Sequence, residues 1–220
     1  MFSVYNILVE YLGFSIYDIL EYTGTFAFAI SGIRLAATKK FDLFGACVVG
    51  LVTAIGGGTI RDLLLQLQPF WMSQISYILC SAFALLVVII FKRYLAKLNN
   101  TLFIFDAIGL ALFTVVGIEK TLGSEHNWPF WVAIIMGTIT GSAGGIMRDI
   151  LINEIPLIFR KEIYALASII GGMIYFVCMQ LGVNTHITQI ISVVSIISVR
   201  IFAVRFHIGL PLIKEDKKNL

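Results

Sequence analysis

The chain alternates between long apolar runs and short breaks carrying Lys, Arg, Asp, Asn and Pro. An α-helix rises 1.5 Å per residue, so a run of about 20 apolar residues crosses about 30 Å of hydrocarbon. Seven runs approach or exceed that length, over 16–37, 43–66, 72–91, 101–119, 128–152, 162–182 and 187–206. The pattern predicts an all-α membrane protein with seven transmembrane helices.

Composition agrees and narrows the class. Of 220 residues, 59% are hydrophobic and 13% charged, with a mean hydropathy of +0.93. Soluble domains run at about 45–50% apolar and about 25% charged. So few charges cannot cover the core of a soluble domain, and so much apolar surface excludes disorder. Cys47, Cys80 and Cys178 stand singly in apolar runs, without a CxxC spacing or a nearby histidine, and read as buried small hydrophobes. No basic segment precedes the first apolar run, so a cleaved signal peptide is not expected.

The net charge of +3 says little; its distribution says more. With seven spans, the loops after the first, third and fifth share a side with the C-terminal tail. That side collects twelve basic residues: Arg34, Lys39, Lys40, Lys92, Arg93, Lys97, Arg160, Lys161, Arg205, Lys214, Lys217 and Lys218. The other side has Lys120 alone. Basic loops stay cytoplasmic, so the C-terminus is expected inside and the N-terminus outside.

The chain also repeats itself. Glu21-x-x-Gly24-x-x-x-Phe28-x-x-x-Gly32-Ile33 matches Asp106-x-x-Gly109-x-x-x-Phe113-x-x-x-Gly117-Ile118 at an offset of 85. Gly50-x-x-Thr53-x-x-x-Gly57-Gly58-x-x-Arg61-Asp62 matches Gly137-x-x-Thr140-x-x-x-Gly144-Gly145-x-x-Arg148-Asp149 at an offset of 87. Each unit holds three spans, an odd number, so the copies enter the membrane in opposite directions. The expected organisation is a first repeat over 1–97, an inverted second repeat over 98–183, and a seventh helix with its tail over 184–220.

Spans two and five place glycines at mid-span: Gly56, Gly57 and Gly58 in one, Gly141, Gly144 and Gly145 in the other. Each glycine costs about 1 kcal/mol of helix propensity relative to alanine. The runs are therefore expected to kink or unwind helices two and five, exposing carbonyls near Ala54, Ile55 and Gly56 to a monovalent cation. Gly24, Gly32, Gly109 and Gly117 read instead as small residues that allow close helix packing. Thr53 and Thr140, one turn before each break, are expected to face the water-filled path.

Charges inside the spans are costly and mark candidate sites. Arg61, Asp62, Arg148 and Asp149 flank the glycine runs. Adjacent side chains diverge by about 100° on a helix, so each arginine is expected to find its partner elsewhere. Depth in the membrane pairs Glu21 with Arg61 and Asp106 with Arg148, either as structural ion pairs or with a role at a pore. Arg200 is expected to snorkel toward the cytoplasmic face. The scattered His126, His186 and His207 form no metal motif, and neither HExxH nor GxSxG occurs. An enzyme, a cofactor and a nucleic-acid partner are all unexpected.

The motifs GGGTIRD at 56–62 and AGGIMRD at 143–149, on two three-helix repeats with a seventh span, resemble the prokaryotic trimeric intracellular cation (TRIC) channels. The phrase NEIPLIFRKE at 153–162 is also similar to the bacterial branch, which carries the label of a glycine transporter domain. The resemblance implies a homotrimer in a prokaryotic inner (plasma) membrane. Each subunit would have its own hourglass pore for K+ and Na+, lined by kinked helices two and five. The family's kinks fall on Gly56, Gly57, Gly58, Gly144 and Gly145, and alanine stands at position 143. A small-amino-acid (glycine) transporter is the alternative, since inverted repeats suit both. A seven-helix scaffold or receptor is disfavoured by the short loops.

Overall fold

Residues 15–97, 101–160 and 163–209 are described by the computed structural model, with the side chains of 96 and 97 left aside. Lys161, Lys214, Lys217 and Lys218 of the basic side, with the chain segments 1–14 and 210–220, lie outside the described residues.

Capping fixes where several helices begin. Ser15 and Asp18 form a reciprocal capping box at the start of α1 (Ile16–Thr38), with the Ser15 amide donating to Asp18 at 2.7 Å. The Asp42 carboxylate accepts the Gly45 amide at 2.7 Å to open α2 (Leu43–Leu64). The short α3 (Phe70–Ser73) leads into α4 (Ser76–Ile90) and α5 (Lys92–Lys97). The second half continues with α6 (Thr101–Leu122), α7 (Phe130–Leu151), a 3-10 turn at Leu157–Phe159 and α8 (Ala165–Gln180). Last comes α9 (Thr185–Arg205), capped by Asn184.

Two ends are matched across the repeat. After α2, Gln66 takes a left-handed φ of 58°, Gln66 N donates to Leu63 O, and Leu67 N donates to Asp62 O at 2.8 Å. After α7, Asn153 has φ 57°, its amide donates to Ile150 O, and Glu154 N donates to Asp149 O at 2.8 Å. Both are Schellman closures, which use up carbonyls the helix end would otherwise leave open.

The described residues thus form nine helices, not seven. The two additional ones, α3 and α5, are short: α3 starts after Pro69 and ends where Gln74 turns extended within the third apolar run, and α5 is the charged segment that follows that run. Among the described residues four helices, α2, α6, α7 and α9, are long and apolar enough to cross a membrane. α4 and α8 are shorter apolar helices of 15 and 16 residues.

The polarity of the surface is reversed from that of a soluble domain. Phe44 is 77% exposed and Ile90 70%, whereas Arg61, Arg148 and Arg200 are fully buried. A fold with apolar side chains outside and charges inside suits a hydrocarbon surround. The core sits where α1 meets α6. Phe28 and Phe113, equivalent positions of the repeat, face each other with ring centres 5.4 Å apart. Gly109 makes room for the Phe28 ring, and Gly24 lies against Phe113. Residues of both halves share this one core, so neither half buries its apolar face alone.

Candidate functional site

Helices α2 and α7 cross at their glycines. A β-carbon at Gly57 would collide with the backbone oxygen of Thr140, and one at Gly144 with the backbone oxygen of Thr53. As the residue number rises along α2 it falls along α7 at these contacts, so the two helices run antiparallel. Reciprocal contacts of this kind are those of two units related by a two-fold axis.

Of the kink or unwinding expected at these glycines, the unwinding is corrected. Both α2 and α7 stay α-helical through Gly56–Gly58 and Gly141–Gly145. Glycine here serves proximity: it removes the side chain that would hold two backbones apart. Gly56 gives space to the Met147 sulfur and Gly58 to the Phe70 ring. Gly141 lies against Leu110 and Thr114, and Gly145 beneath the Tyr164 hydroxyl. The carbonyls of Ala54, Ile55 and Gly56 accordingly lie within a continuous helix, and Ile55 O already accepts the Thr59 hydroxyl at 2.7 Å. No unwound turn is there to present them to a cation.

Thr53 and Thr140 are fully buried, and their hydroxyls donate to Val49 O and Met136 O, each at 2.6 Å. In this conformation the crossing is closed to water.

A cluster of charges stands beyond the crossing on each helix. At the end of α2, Arg61 Nε donates to Asp62 Oδ1 at 2.8 Å, and Arg61 Nη2 lies 3.5 Å from Glu21 Oε1. Glu21 also accepts the Tyr77 hydroxyl at 2.6 Å and the Tyr17 hydroxyl at 3.4 Å. Lys120 Nζ reaches Asp62 Oδ1 at 3.5 Å. At the end of α7, Arg148 Nε donates to Asp149 Oδ1 at 2.9 Å and Nη1 to Asp106 Oδ1 at 2.6 Å. Tyr164 donates to Asp106 at 3.4 Å.

Two expectations fail here, for physical reasons. The Arg-Asp neighbours do pair, since the arginine stem is long enough to bring Nε back beside the next residue's carboxylate. Arg200 does not snorkel. Its guanidinium is buried over the Tyr164 ring at 4.8 Å and the Phe103 ring at 5.1 Å, donates to Ile163 O at 3.0 Å, and lies 3.9 Å from Asp106. Aromatic faces and a carboxylate hold it inward, so each cluster contains two acids and two bases.

Each aspartate has a second role. Asp62 Oδ2 accepts the Phe70 amide at 2.8 Å, and Asp149 Oδ2 accepts the Leu157 amide at 3.0 Å. The carboxylate thereby ties its arginine to the segment that follows the helix. Sequence reasoning missed this arm of the repeat: Pro69 and Pro156, Phe70 and Leu157, Tyr77 and Tyr164, all at the offset of 87 already found for the glycines. It also missed Ser31, which accepts from Arg148 Nη1, and the contact of Lys120 with Asp62, whose partners come from other elements and leave no local signature; Tyr17, one turn before Glu21 on α1, it passed over.

The loops after α1 and α7 are clasped outside the spans. Lys39 pairs with Glu154, and Arg160 reaches Glu154 Oε2 at 3.1 Å. The Lys39 ammonium, donating to Glu154, holds that carboxyl below its usual range.

Comparison with known proteins agrees with the geometry. A family model for Glycine transporter matches the chain twice, over 18–93 and 103–180. A membrane protein of Vibrio cholerae is 39% identical over 199 residues, spanning 90% of this chain and 82% of that one. The inner membrane protein YadS of Escherichia coli K12 is 38% identical over 203 residues, spanning 91% and 97%. Among solved structures, one that addresses conductance through TRIC cation channels superposes with a TM-score of 0.79 at 36% identity, covering 92% of this chain and 99% of that one. The TRIC channel orthologue from Rhodobacter sphaeroides gives a TM-score of 0.82 at 30% identity, covering 88% and 99%. Two family matches on the two repeats, and superposition over nearly the whole chain, lead to one assignment: the chain is a membrane protein of the Glycine transporter family, to which the TRIC cation channels belong.

Proposed function

We propose that the protein is a homotrimeric channel for monovalent cations, K+ and Na+, with a conduction path in each subunit between α2 and α7. The observation that carries this reading is the α2–α7 crossing. Two antiparallel helices meet there backbone to backbone at Gly57 and Gly144, with the Met147 side chain against Gly56, and a cluster of two acids and two bases stands beyond the contact on each. A small displacement of one helix would open a path whose walls are backbone, Thr53, Thr140 and paired charges. The likeness to solved TRIC cation channels supports the ion class and the trimer.

In this reading the seven longer helices are the spans, grouped as a repeat over 1–97, an inverted repeat over 98–183, and α9 with its tail over 184–220. The N-terminus faces outward, the C-terminus the cytoplasm, and the membrane is a prokaryotic inner membrane. The Arg61 cluster, with Lys120, then lies in the outer half and the Arg148 cluster in the inner half.

Recording from purified protein in planar bilayers tests the reading. Unitary currents in KCl and NaCl are expected. Saturable glycine counterflow without unitary currents would replace it with the transporter, which the family description favours. Cysteines at Thr53 and Thr140 should react with small thiol reagents in the conducting state only. If both stay inert while current flows, the path lies elsewhere.

A further inference from the structure

The two charge clusters share one plan but are held with unequal grip. Each arginine Nε donates to the adjacent aspartate, at 2.8 and 2.9 Å. Beyond that contact they differ. Arg148 Nη1 donates both to Asp106 at 2.6 Å and to Ser31 Oγ at 2.5 Å, and Ser31 belongs to the other repeat. Among the described residues Arg61 has, besides Asp62, only Glu21 as an acceptor, at 3.5 Å, with its guanidinium over the Phe70 ring at 5.7 Å, and its Nη1 is buried without a hydrogen-bond partner. Arg148 also leaves one nitrogen, Nη2, in that state, so the difference lies in the acceptors gained, three against two. The offset of 85 between α1 and α6 carries Ser31 onto Val116, which has no acceptor to offer.

The fourth member of each cluster differs in the same sense. Arg200 is sealed, its guanidinium over two aromatic rings. The Lys120 side chain remains 26% exposed and meets Asp62 at 3.5 Å. Arginine stacks and forks in a fixed plane, whereas lysine is a hydrated point charge on a flexible stem. Fewer and longer contacts, with a partner already in reach of solvent, make the Arg61 cluster the easier one to part.

We propose that the Arg61 cluster is the half of the site that moves, that Ser31 is the positioning residue fixing the Arg148 cluster, and that valine at 116 lets Arg61 part from its acids. The proposal rests on the reading that these clusters flank the conduction path. Ser31 acts through Arg148 across the repeat boundary.

Hydrogen–deuterium exchange on the purified protein in lipid nanodiscs tests this without needing a current. The matched amides of Leu65 and Leu67 report on α2 beside Arg61, and those of Ile152 and Glu154 on α7 beside Arg148. One charge-assisted hydrogen bond corresponds to about tenfold in the opening equilibrium that exchange reads. Exchange in 61–70 should therefore be about tenfold faster than in 148–157. Val116→Ser should slow 61–70 toward the rate of its counterpart. Ser31→Val should speed 148–157 by a similar factor, and Ser31→Thr should restore protection. General structural damage speeds exchange; only a gained acceptor slows it in one half. Equal wild-type rates, or no slowing by Val116→Ser, would overturn the proposal. Should Ser31→Val not fold, the Val116→Ser arm decides alone. Channel recordings on Val116→Ser should show a lower open fraction. If the exchange asymmetry holds and no variant conducts, the channel reading fails and the assignment of the moving half stands.

Discussion

Gly57 of α2 lies against the carbonyl oxygen of Thr140 of α7 at a separation that leaves no space for a methyl group. The obstacle is backbone on both sides, because Gly144 meets the Thr53 carbonyl in the same way. A backbone carbonyl inside a helix cannot rotate away as a side chain can.

Gly57→Ala and Gly144→Ala should therefore each destabilise by about 1–3 kcal/mol, as overpacking does elsewhere. Gly56→Ala is the control, since its new methyl is crowded by the sulfur of the flexible Met147 side chain, while the nearest backbone atom, Gly144 Cα, lies at an ordinary 3.8 Å. Melting temperatures of the three variants in one detergent decide the matter. If Gly56→Ala costs as much as Gly57→Ala, the crossing is not what requires glycine.

Removing one partner of a buried pair leaves the other charge uncompensated, at about 3–5 kcal/mol. Asp106→Asn should lie in that range, because Asp106 serves Arg148, Tyr164 and Arg200 together. Glu21→Gln should cost less, its contact with Arg61 being 3.5 Å against 2.6 Å. The Asp106 and Arg148 substitutions should couple strongly in a double-mutant cycle. Additive losses there would show that the pair acts through other neighbours.

Arg200→Lys should destabilise by about 1–2 kcal/mol, since a lysine loses the stacking on Tyr164 and Phe103. A side chain that merely reached for the interface would tolerate the exchange. A melting temperature equal to wild type would put Arg200 at the membrane surface after all.

The Lys39–Glu154 clasp has a pH dependence of defined sign. Glu154 has a depressed carboxyl pKa in the folded state, so its contribution is present above the unfolded value and lost as pH falls through the folded one. The stability difference between wild type and Glu154→Gln should accordingly be small at neutral pH and vanish in acid. High salt should erase it too, since the pair is exposed. A difference that grows on acidification would contradict the clasp.

The repeat was legible in the sequence, and so were the pairs Glu21 with Arg61 and Asp106 with Arg148 that were expected from it. The purpose of the glycines was not. Missing side chains allow both a flexible turn and a close approach, and only the neighbour's position tells which applies. Arg200 was misread for a related reason. Its partners Tyr164 and Asp106 come from other elements of the chain, and hydropathy along α9 carries no trace of them. Tyr77 and Tyr164 were legible in principle, at the offset already in hand, but a lone tyrosine in an apolar run draws no notice.

The mutual fit of Gly57 with Thr140 and of Gly144 with Thr53 also constrains how this chain can vary. Neither half owns the surface it needs; each carries the void that the other's backbone fills. A bulkier residue at 57 is compensated only by a shift of α7, and one at 144 only by a shift of α2. The halves therefore have to drift in step, and a chimaera joining the first half of this chain to the second half of a distant relative would inherit two surfaces shaped for absent partners.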